Sequence, residues 1–104
     1  MKAEKQRRIL ETKGKYHIVD GRIYEWYRGD LVEKKSYVVN GVRYHVMSNY
    51  RGWGSERAYE HDIVWLFEYG MFYGRIRHIN GDRLDNRIEN LELVPRLCVV
   101  EGAE

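Results

Sequence analysis

The sequence predicts an α+β fold in a single domain, made of an antiparallel β meander, one buried helix and a strand–turn–strand element. Three observations predict it. Two Asx-Gly pairs separate apolar-rich runs, an apolar stripe of helical period follows them, and the 104 residues suit one domain by length. Hydrophobic residues make up 43% and charged residues 33%, a composition typical of folded domains.

Residues 1–15 are predicted to form a basic N-terminal arm, followed by a single domain over residues 16–104. The arm has six basic and two acidic side chains, whereas the whole chain carries only +2. Within it, Ala3 to Thr12 is predicted as a short amphipathic helix anchored by Ile9 and Leu10, which is weak by itself. The basic excess fits contact with phosphates and fits equally well a solvated surface helix.

Residues 16–48 are predicted to form the meander. The Asp20-Gly21 and Asn40-Gly41 pairs indicate two-residue hairpins, because these residue types tolerate the positive φ of a type I′ turn. The nine Tyr and three Trp suit half-buried strands, although such rings also stack on nucleic-acid bases. Packing within the sheet is the expectation for most of them. Residues 49–55 are predicted as a loop.

The buried helix is predicted over residues 57–69, with Ser55 as its N-cap and Gly70 just after its end. Its apolar stripe has three- and four-residue spacing and is formed by Tyr59, Ile63, Leu66 and Phe67. After it, residues 75–79 and 91–94 are predicted as strands, joined by a polar loop and a short helical turn at 87–90. Pro95 interrupts what comes next.

Cysteine content and hydropathy favour an intracellular, cytoplasmic protein. Cys98 is the only cysteine, so no internal disulfide is possible, and the N-terminus has no apolar signal core. The longest apolar run, Ile63 to Phe67, is too short to cross a bilayer, so no membrane partner is expected. The four histidines are scattered without the pairing of a zinc site.

The chemically informative run extends from His78 to Leu91, within a motif over residues 75–94. It places His78, Gly81, Asn86, Asn90 and Leu91 at fixed offsets around a polar loop. This run resembles the HNH, or ββα-metal, endonuclease family, specifically its small phage homing-type members. The resemblance implies an HNH-like ββα-metal element, here with a truncated closing helix, and DNA as the partner.

The resemblance also implies catalytic roles for three residues. His78 would be the general base, a task that suits histidine because its pKa lies close to neutral pH. Asn90 would orient the imidazole by accepting a hydrogen bond from its far nitrogen. Asn86 would fix the turn through its own backbone contacts.

An active member of this family uses a divalent cation, so Mg²⁺ or Mn²⁺ is the implied cofactor of an active enzyme, and an inactive derivative would have none. The position just before the base is a ligand in the family, but here it is Arg77. The second ligand position falls near Val99. Neither side chain can bind a metal, so the sequence names no metal ligands.

Two functions follow. The first is an HNH endonuclease-like DNA-binding protein that hydrolyses phosphodiesters. The second is a catalytically inactive HNH scaffold that acts as a DNA-binding factor or as a phage-encoded inhibitor of a host protein. The predicted nucleic-acid-binding residues are basic and lie in the arm and around the motif: Lys5, Arg7, Arg8, Arg75, Arg77, Arg83 and Arg87.

Overall fold

A computed structural model describes residues 1–48 and 54–96 and has the α+β architecture that the sequence predicts. The helices are α1 (Ala3–Leu10) and α2 (Glu60–Tyr69), and a 3₁₀ turn covers Ile88–Asn90. The strands are β1 (Tyr16–Val19), β2 (Arg22–Tyr27), β3 (Asp30–Glu33), β4 (Tyr37–Val39), β5 (Val42–Ser48), β6 (Ser55–Tyr59), β7 (Gly74–His78) and β8 (Leu91–Pro95).

The described strands form three antiparallel sheets, in the orders β1-β2-β3, β4-β5-β6 and β7-β8. Both predicted hairpins are present. Asp20 and Gly21 have φ of 49° and 77°, and Asn40 and Gly41 have 53° and 76°, as a type I′ turn requires. The predicted meander is nevertheless divided, because β3 pairs with β2 and β4 pairs with β5 but β3 and β4 do not pair.

The prediction is wrong at the start of the buried helix. Residues 55–59 form strand β6, and α2 begins at Glu60, so Ser55 is not its N-cap. The reason is tertiary: β6 pairs along its whole length with β5, from Ser48↔Ser55 to Tyr44↔Tyr59. The five residues of β6 have no clear preference of their own for a strand, because strand formation depends on packing against the neighbouring strand. Residues 49–53 of the predicted loop lie outside the described residues.

Helix α2 is central to the core, and its buried side chains contact α1 and several strands. The core consists of aliphatic and aromatic residues from every layer, among them Ile9, Ile23, Met47, Ile63, Leu66 and Ile76. Helix α1 is tied down by the buried Gln6, which donates to the Phe72 carbonyl at 2.8 Å and accepts from the Phe72 N–H at 2.9 Å. None of the helices in residues 1–48 and 54–96 is long and apolar enough to span a membrane.

The β1–β2 turn contacts the motif directly. A Cβ atom on Gly21 would lie 2.3 Å from the carbonyl carbon of Asn86 and 2.4 Å from the backbone nitrogen of Arg87. Only glycine permits this approach, and its φ of 77° also favours glycine. The hairpin turn therefore supports the segment that carries Asn86.

Candidate active site

His78 is the last residue of β7, and its imidazole is held by a buried amide. Its Nε2 lies 2.5 Å from Oδ1 of Asn86, and Asn86 is 2% exposed. Strand β7 is paired with β8, with His78 opposite Leu91, so the backbone beneath the ring is fixed as well. The imidazole therefore contacts an asparagine of the motif, but this residue is Asn86 and not the expected Asn90.

The hydrogen-bond partners of Asn86 define the tautomer of His78. The Nδ2 group of Asn86 donates to Oε1 of Glu60 at 2.9 Å, because a carboxylate oxygen can only accept from it. Its Oδ1 then faces the imidazole and needs a donor, which is Nε2–H of His78. The lone pair of the neutral ring is consequently on Nδ1, which no group in residues 1–48 or 54–96 hydrogen-bonds. Nδ1 is thus the atom that can accept a proton.

Glu60 is the centre of this buried polar network. It is fully buried at the start of α2, and its Oε2 lies 2.6 Å from Nε2 of His45. Nδ1 of His45 is 3.1 Å from the carbonyl of Lys35, an acceptor, so Nδ1 carries a hydrogen. The Nε2–Oε2 bond needs a proton of its own, either on the ring or on the carboxyl. The His45 ring is buried together with the carboxylate.

Two arginines compensate the charge of the buried carboxylate. Nε of Arg22 lies 3.6 Å from Oε2 of Glu60, and Nε of Arg43 lies 3.7 Å from Oε1. A buried carboxylate without such partners would be strongly unfavourable. The chain of contacts from His45 through Glu60 and Asn86 to His78 therefore forms one charge-compensated unit, which we call the Glu60 network.

Asn90 does not orient the histidine, and the roles expected of the two asparagines are exchanged. Asn90 is buried, and its Oδ1 accepts from the backbone N–H of Asn80 at 3.1 Å. Its Nδ2 donates to the Asp85 carbonyl at 2.8 Å and to Oδ1 of Asn80 at 3.0 Å. Asn90 thus closes the loop between β7 and the 3₁₀ turn, and Asn86 holds the imidazole. Spacing alone cannot distinguish these two arrangements.

An open cavity of about 430 Å³ lies beside His78. Its polar lining is cationic or basic and includes His61, Arg75, Arg77 and Arg83. Arg75 and Arg83 form no ion pair with any described residue, whereas Arg77 pairs with Glu92 at 3.0 Å. The structure therefore brings together four of the residues predicted from the sequence, His78 and these three arginines, at a site suited to an anion.

The other predicted basic residues lie elsewhere. Arg87 binds Asp85 through two hydrogen bonds of 2.8 and 2.9 Å, which lower the pKa of Asp85 to about 2. Arg8 is paired with both Glu4 and Glu56. Arg7 is exposed on α1 and does not line the cavity, and Lys5 lines a neighbouring groove. The charges of Arg87 and Arg8 are thus largely compensated by ion pairs within the protein.

His61 packs its ring against that of His78, with centroids 4.9 Å apart and planes at 80°. Burial, with a smaller contribution from His78, lowers the pKa of His61 from its ordinary value of 6.5 to about 4. His61 is therefore neutral at neutral pH. It adds an aromatic wall to the cavity and no positive charge that would repel a protonated His78.

Burial raises the pKa of the adjacent Asp62 from its ordinary value of 3.8 to about 6. Between these values the folded state binds more protons than the unfolded state, so Asp62 makes stability fall as pH rises. His61 has the opposite effect between about 4 and 6.5, because its folded state binds fewer protons. The two contributions oppose each other where the windows overlap.

The Asp62→Asn variant is expected to remove the fall in stability with rising pH that Asp62 causes. Its free energy of unfolding relative to wild type should increase between pH 4 and pH 7 by up to about 3 kcal/mol, because burial raises the pKa of Asp62 from 3.8 to about 6. Urea unfolding at several pH values measures this difference. The exposed Asp30→Asn variant controls for the change in net charge. A difference that is independent of pH would contradict the assignment.

The residues beside His78 do not fit a divalent metal. No group of three or more His, Cys, Asp or Glu side chains in the described part of the chain could hold one. Arg77 occupies the expected ligand position and is paired with Glu92, and the carboxylate of Asp85 is bound by Arg87. Val99, the other expected position, lies outside the described residues. The arginine-rich lining suits a phosphate directly and disfavours a cation.

The strands of an HNH-type site are an antiparallel pair, here β7 and β8, with a histidine at the end of the first strand. An asparagine-rich loop joins them, and Asn86 in this loop holds the imidazole. Residues 58–98 match the family model described as HNH endonuclease, which confirms the resemblance that the sequence predicts for this segment. No curated protein matches the chain significantly. No solved structure does either.

Three residues of the site were not predicted, namely Glu60, His45 and His61. Glu60 precedes Ile63 by three residues and Val64 by four, so it lies on the apolar stripe of α2, an unusual place for a carboxylate. That position was the available signal. His45 lies two residues before the buried Met47 on β5, so the two side chains share one face of the strand. This position was a weaker signal of the same kind.

Proposed function

We propose that the protein is an HNH endonuclease-like DNA-binding protein in which His78 is the general base for phosphodiester hydrolysis. The observation that carries the proposal is the 2.5 Å bond between Nε2 of His78 and the buried Asn86, which leaves Nδ1 as the basic atom. An imidazole held in one tautomer beside a cationic cavity suits proton abstraction next to a phosphate.

The proposed step needs only residues of this site and a water molecule. Nδ1 of His78 takes a proton from the water, whose oxygen forms a bond to phosphorus as the bond to the 3′-oxygen breaks. The 3′-oxygen leaves with the bonding electron pair and takes a proton from solvent, which gives a 5′-phosphate and a 3′-hydroxyl. Oδ1 of Asn86 accepts from Nε2–H and stabilises the imidazolium that forms. Arg75, Arg77 and Arg83 offset charge on the phosphate. No step is assigned to a metal, since the described residues do not fit one.

A second candidate function is a catalytically inactive HNH scaffold that binds DNA or, as a phage-encoded inhibitor, a host protein. Arg77 at the expected ligand position favours it. A positioned base contributes about 10²- to 10⁴-fold, whereas enzymes lower barriers by roughly 8–23 kcal/mol in total. Arginines have to supply much of the remainder if hydrolysis occurs without a metal.

Nicking of supercoiled plasmid by the wild-type protein, with Mg²⁺, with Mn²⁺ and with EDTA, tests the first function. We expect nicking at micromolar protein, and duplex affinity that falls steeply as salt rises because phosphate contacts release counterions. If the protein binds DNA but does not nick it in any of these buffers, the inactive DNA-binding scaffold is supported and the endonuclease is not. A complete absence of DNA binding would favour a protein partner.

A further inference from the structure

The outer face of the β4-β5-β6 sheet carries a row of three tyrosines. Tyr37 pairs with Tyr44 across β4 and β5, and Tyr44 pairs with Tyr59 across β5 and β6, so all three side chains are on one face. The rings of Tyr37 and Tyr44 are stacked, with centroids 5.2 Å apart. The opposite face is the buried one, since His45 and Ala58 are paired there. We call the three residues the tyrosine row.

The tyrosine row leads to the candidate active site. The Tyr59 ring is stacked on His61 at 5.3 Å with an angle of 11° between planes, and His61 in turn contacts His78. Tyr59 is 51% exposed although it is a large aromatic residue. Ring contacts therefore connect Tyr59 to the proposed general base, and strand pairing places Tyr44 beside Tyr59.

A groove lined by two members of the row, Tyr44 and Tyr59, is cationic and adjoins the cavity beside His78. The groove has a volume of about 570 Å³, and its lining includes Tyr44, Tyr59, Lys5, Arg57 and Arg83. Both it and the His78 cavity are lined by Val42 and Arg83. Its one acidic lining residue among those described is Asp62.

Basic side chains also lie over the rings themselves. The Arg57 guanidinium is 5.1 Å from the Tyr44 ring centre, and the Lys35 ammonium is 5.4 Å from that of Tyr37. Alternating positive charge and aromatic surface is the composition that binds the backbone and the bases of a single strand together.

We propose that the tyrosine row binds single-stranded DNA next to the phosphate held at His78, with a base stacked on Tyr59 and flanking phosphates near Arg57 and Arg83. This inference rests on the proposed function and specifies its substrate as DNA with an unpaired segment. In a duplex the faces of the bases are covered by their neighbours, so a ring on the protein surface cannot stack on them.

The charge of the groove favours DNA over a protein as its occupant. The centres of protein interfaces are depleted in charged residues, and their hot spots, which are often tyrosine, tryptophan or arginine, lie in well-packed pockets. Here Lys5, Arg57 and Arg83 line an open groove that shares Arg83 with the cationic cavity beside His78. A polyanion with stacking surfaces complements both features.

Fluorescence anisotropy with a labelled twelve-nucleotide thymidine strand, and with the same strand in a duplex with its complement, tests the proposal. We expect the single strand to bind more tightly than the duplex. Tyr59→Ala should weaken single-strand binding by roughly five- to 150-fold, the range expected for loss of one stacked base, and should change duplex binding little. Tyr27→Ala is the matched control, since Tyr27 is 57% exposed on β2, has Arg28 over its ring and lines neither cavity.

The outcomes separate this inference from the proposed function. Equal loss of single-strand and duplex binding in Tyr59→Ala, or tighter binding of the duplex by wild type, would overturn the stacking role and leave His78 and its arginines untouched. Loss of duplex binding in an Arg75→Ala, Arg83→Ala double variant supports the phosphate site independently. Self-association that Tyr59→Ala abolishes, without any oligonucleotide binding, would assign the row to a protein contact instead.

Discussion

The Glu60→Ala variant is expected to lose about 3–5 kcal/mol of unfolding free energy, the usual cost of removing one partner of a buried ion pair. Glu60 is fully buried and serves His45, Asn86, Arg22 and Arg43 at once. Its removal leaves buried donors without an acceptor and positive charge without compensation. Because small domains have only about 5–15 kcal/mol of stability, this loss is severe.

Urea unfolding followed by tryptophan fluorescence measures this effect. Glu68→Ala is the control, because Glu68 is exposed on the same helix and its loss should change stability by less than about 0.5 kcal/mol. Glu60→Gln tests the charge separately, since it retains the size of the side chain. A loss below about 1 kcal/mol for Glu60→Ala would show that the Glu60 network contributes little to stability.

The second large effect is expected at His78. His78→Ala should lower the rate of plasmid nicking by about 10²- to 10⁴-fold, the usual contribution of a positioned general base. Asn86→Ala should cause a smaller loss, because the imidazole remains but loses the acceptor at 2.5 Å that fixes its tautomer. Quantified conversion of supercoiled to relaxed plasmid under single-turnover conditions measures both rates.

Duplex affinity is the control for these variants. It should change little in His78→Ala, because the phosphate contacts are assigned to Arg75, Arg77 and Arg83. Asn90→Ala tests closure of the loop separately from orientation of the imidazole, since Asn90 hydrogen-bonds Asn80 and Asp85 and not His78. If His78→Ala nicks as fast as wild type, another group is the base and the proposed mechanism is wrong.

Much of the fold could be predicted because its signals are local. The Asp20-Gly21 and Asn40-Gly41 turns need only two residues that accept positive φ, and the structure has both. The His78 to Leu91 run could be identified because its residues lie at fixed offsets within one short element. The start of α2 could not be predicted, since β6 exists only through its pairing with β5.

The site was predicted in part, for the same reason. The three arginines that line the cavity with His78 are within five residues of it in the sequence, two on β7 and one in the loop that follows. The exchange of roles between Asn86 and Asn90 was not predictable, because both are buried amides near the histidine and only their partners differ. Glu60 lies 26 residues from Asn86, and no local pattern relates the two.

The sequence by itself determined the fold class, the hairpin turns and the HNH-type motif, because backbone φ preferences, hydrophobic period and residue offsets act over a few neighbouring positions. Only the tertiary structure decided which amide holds the imidazole, that a buried carboxylate supports that amide, and that a row of tyrosines leads to the same cavity. Those features depend on contacts between β5, α2 and the β7–β8 element, and such contacts exist only after distant segments have packed together.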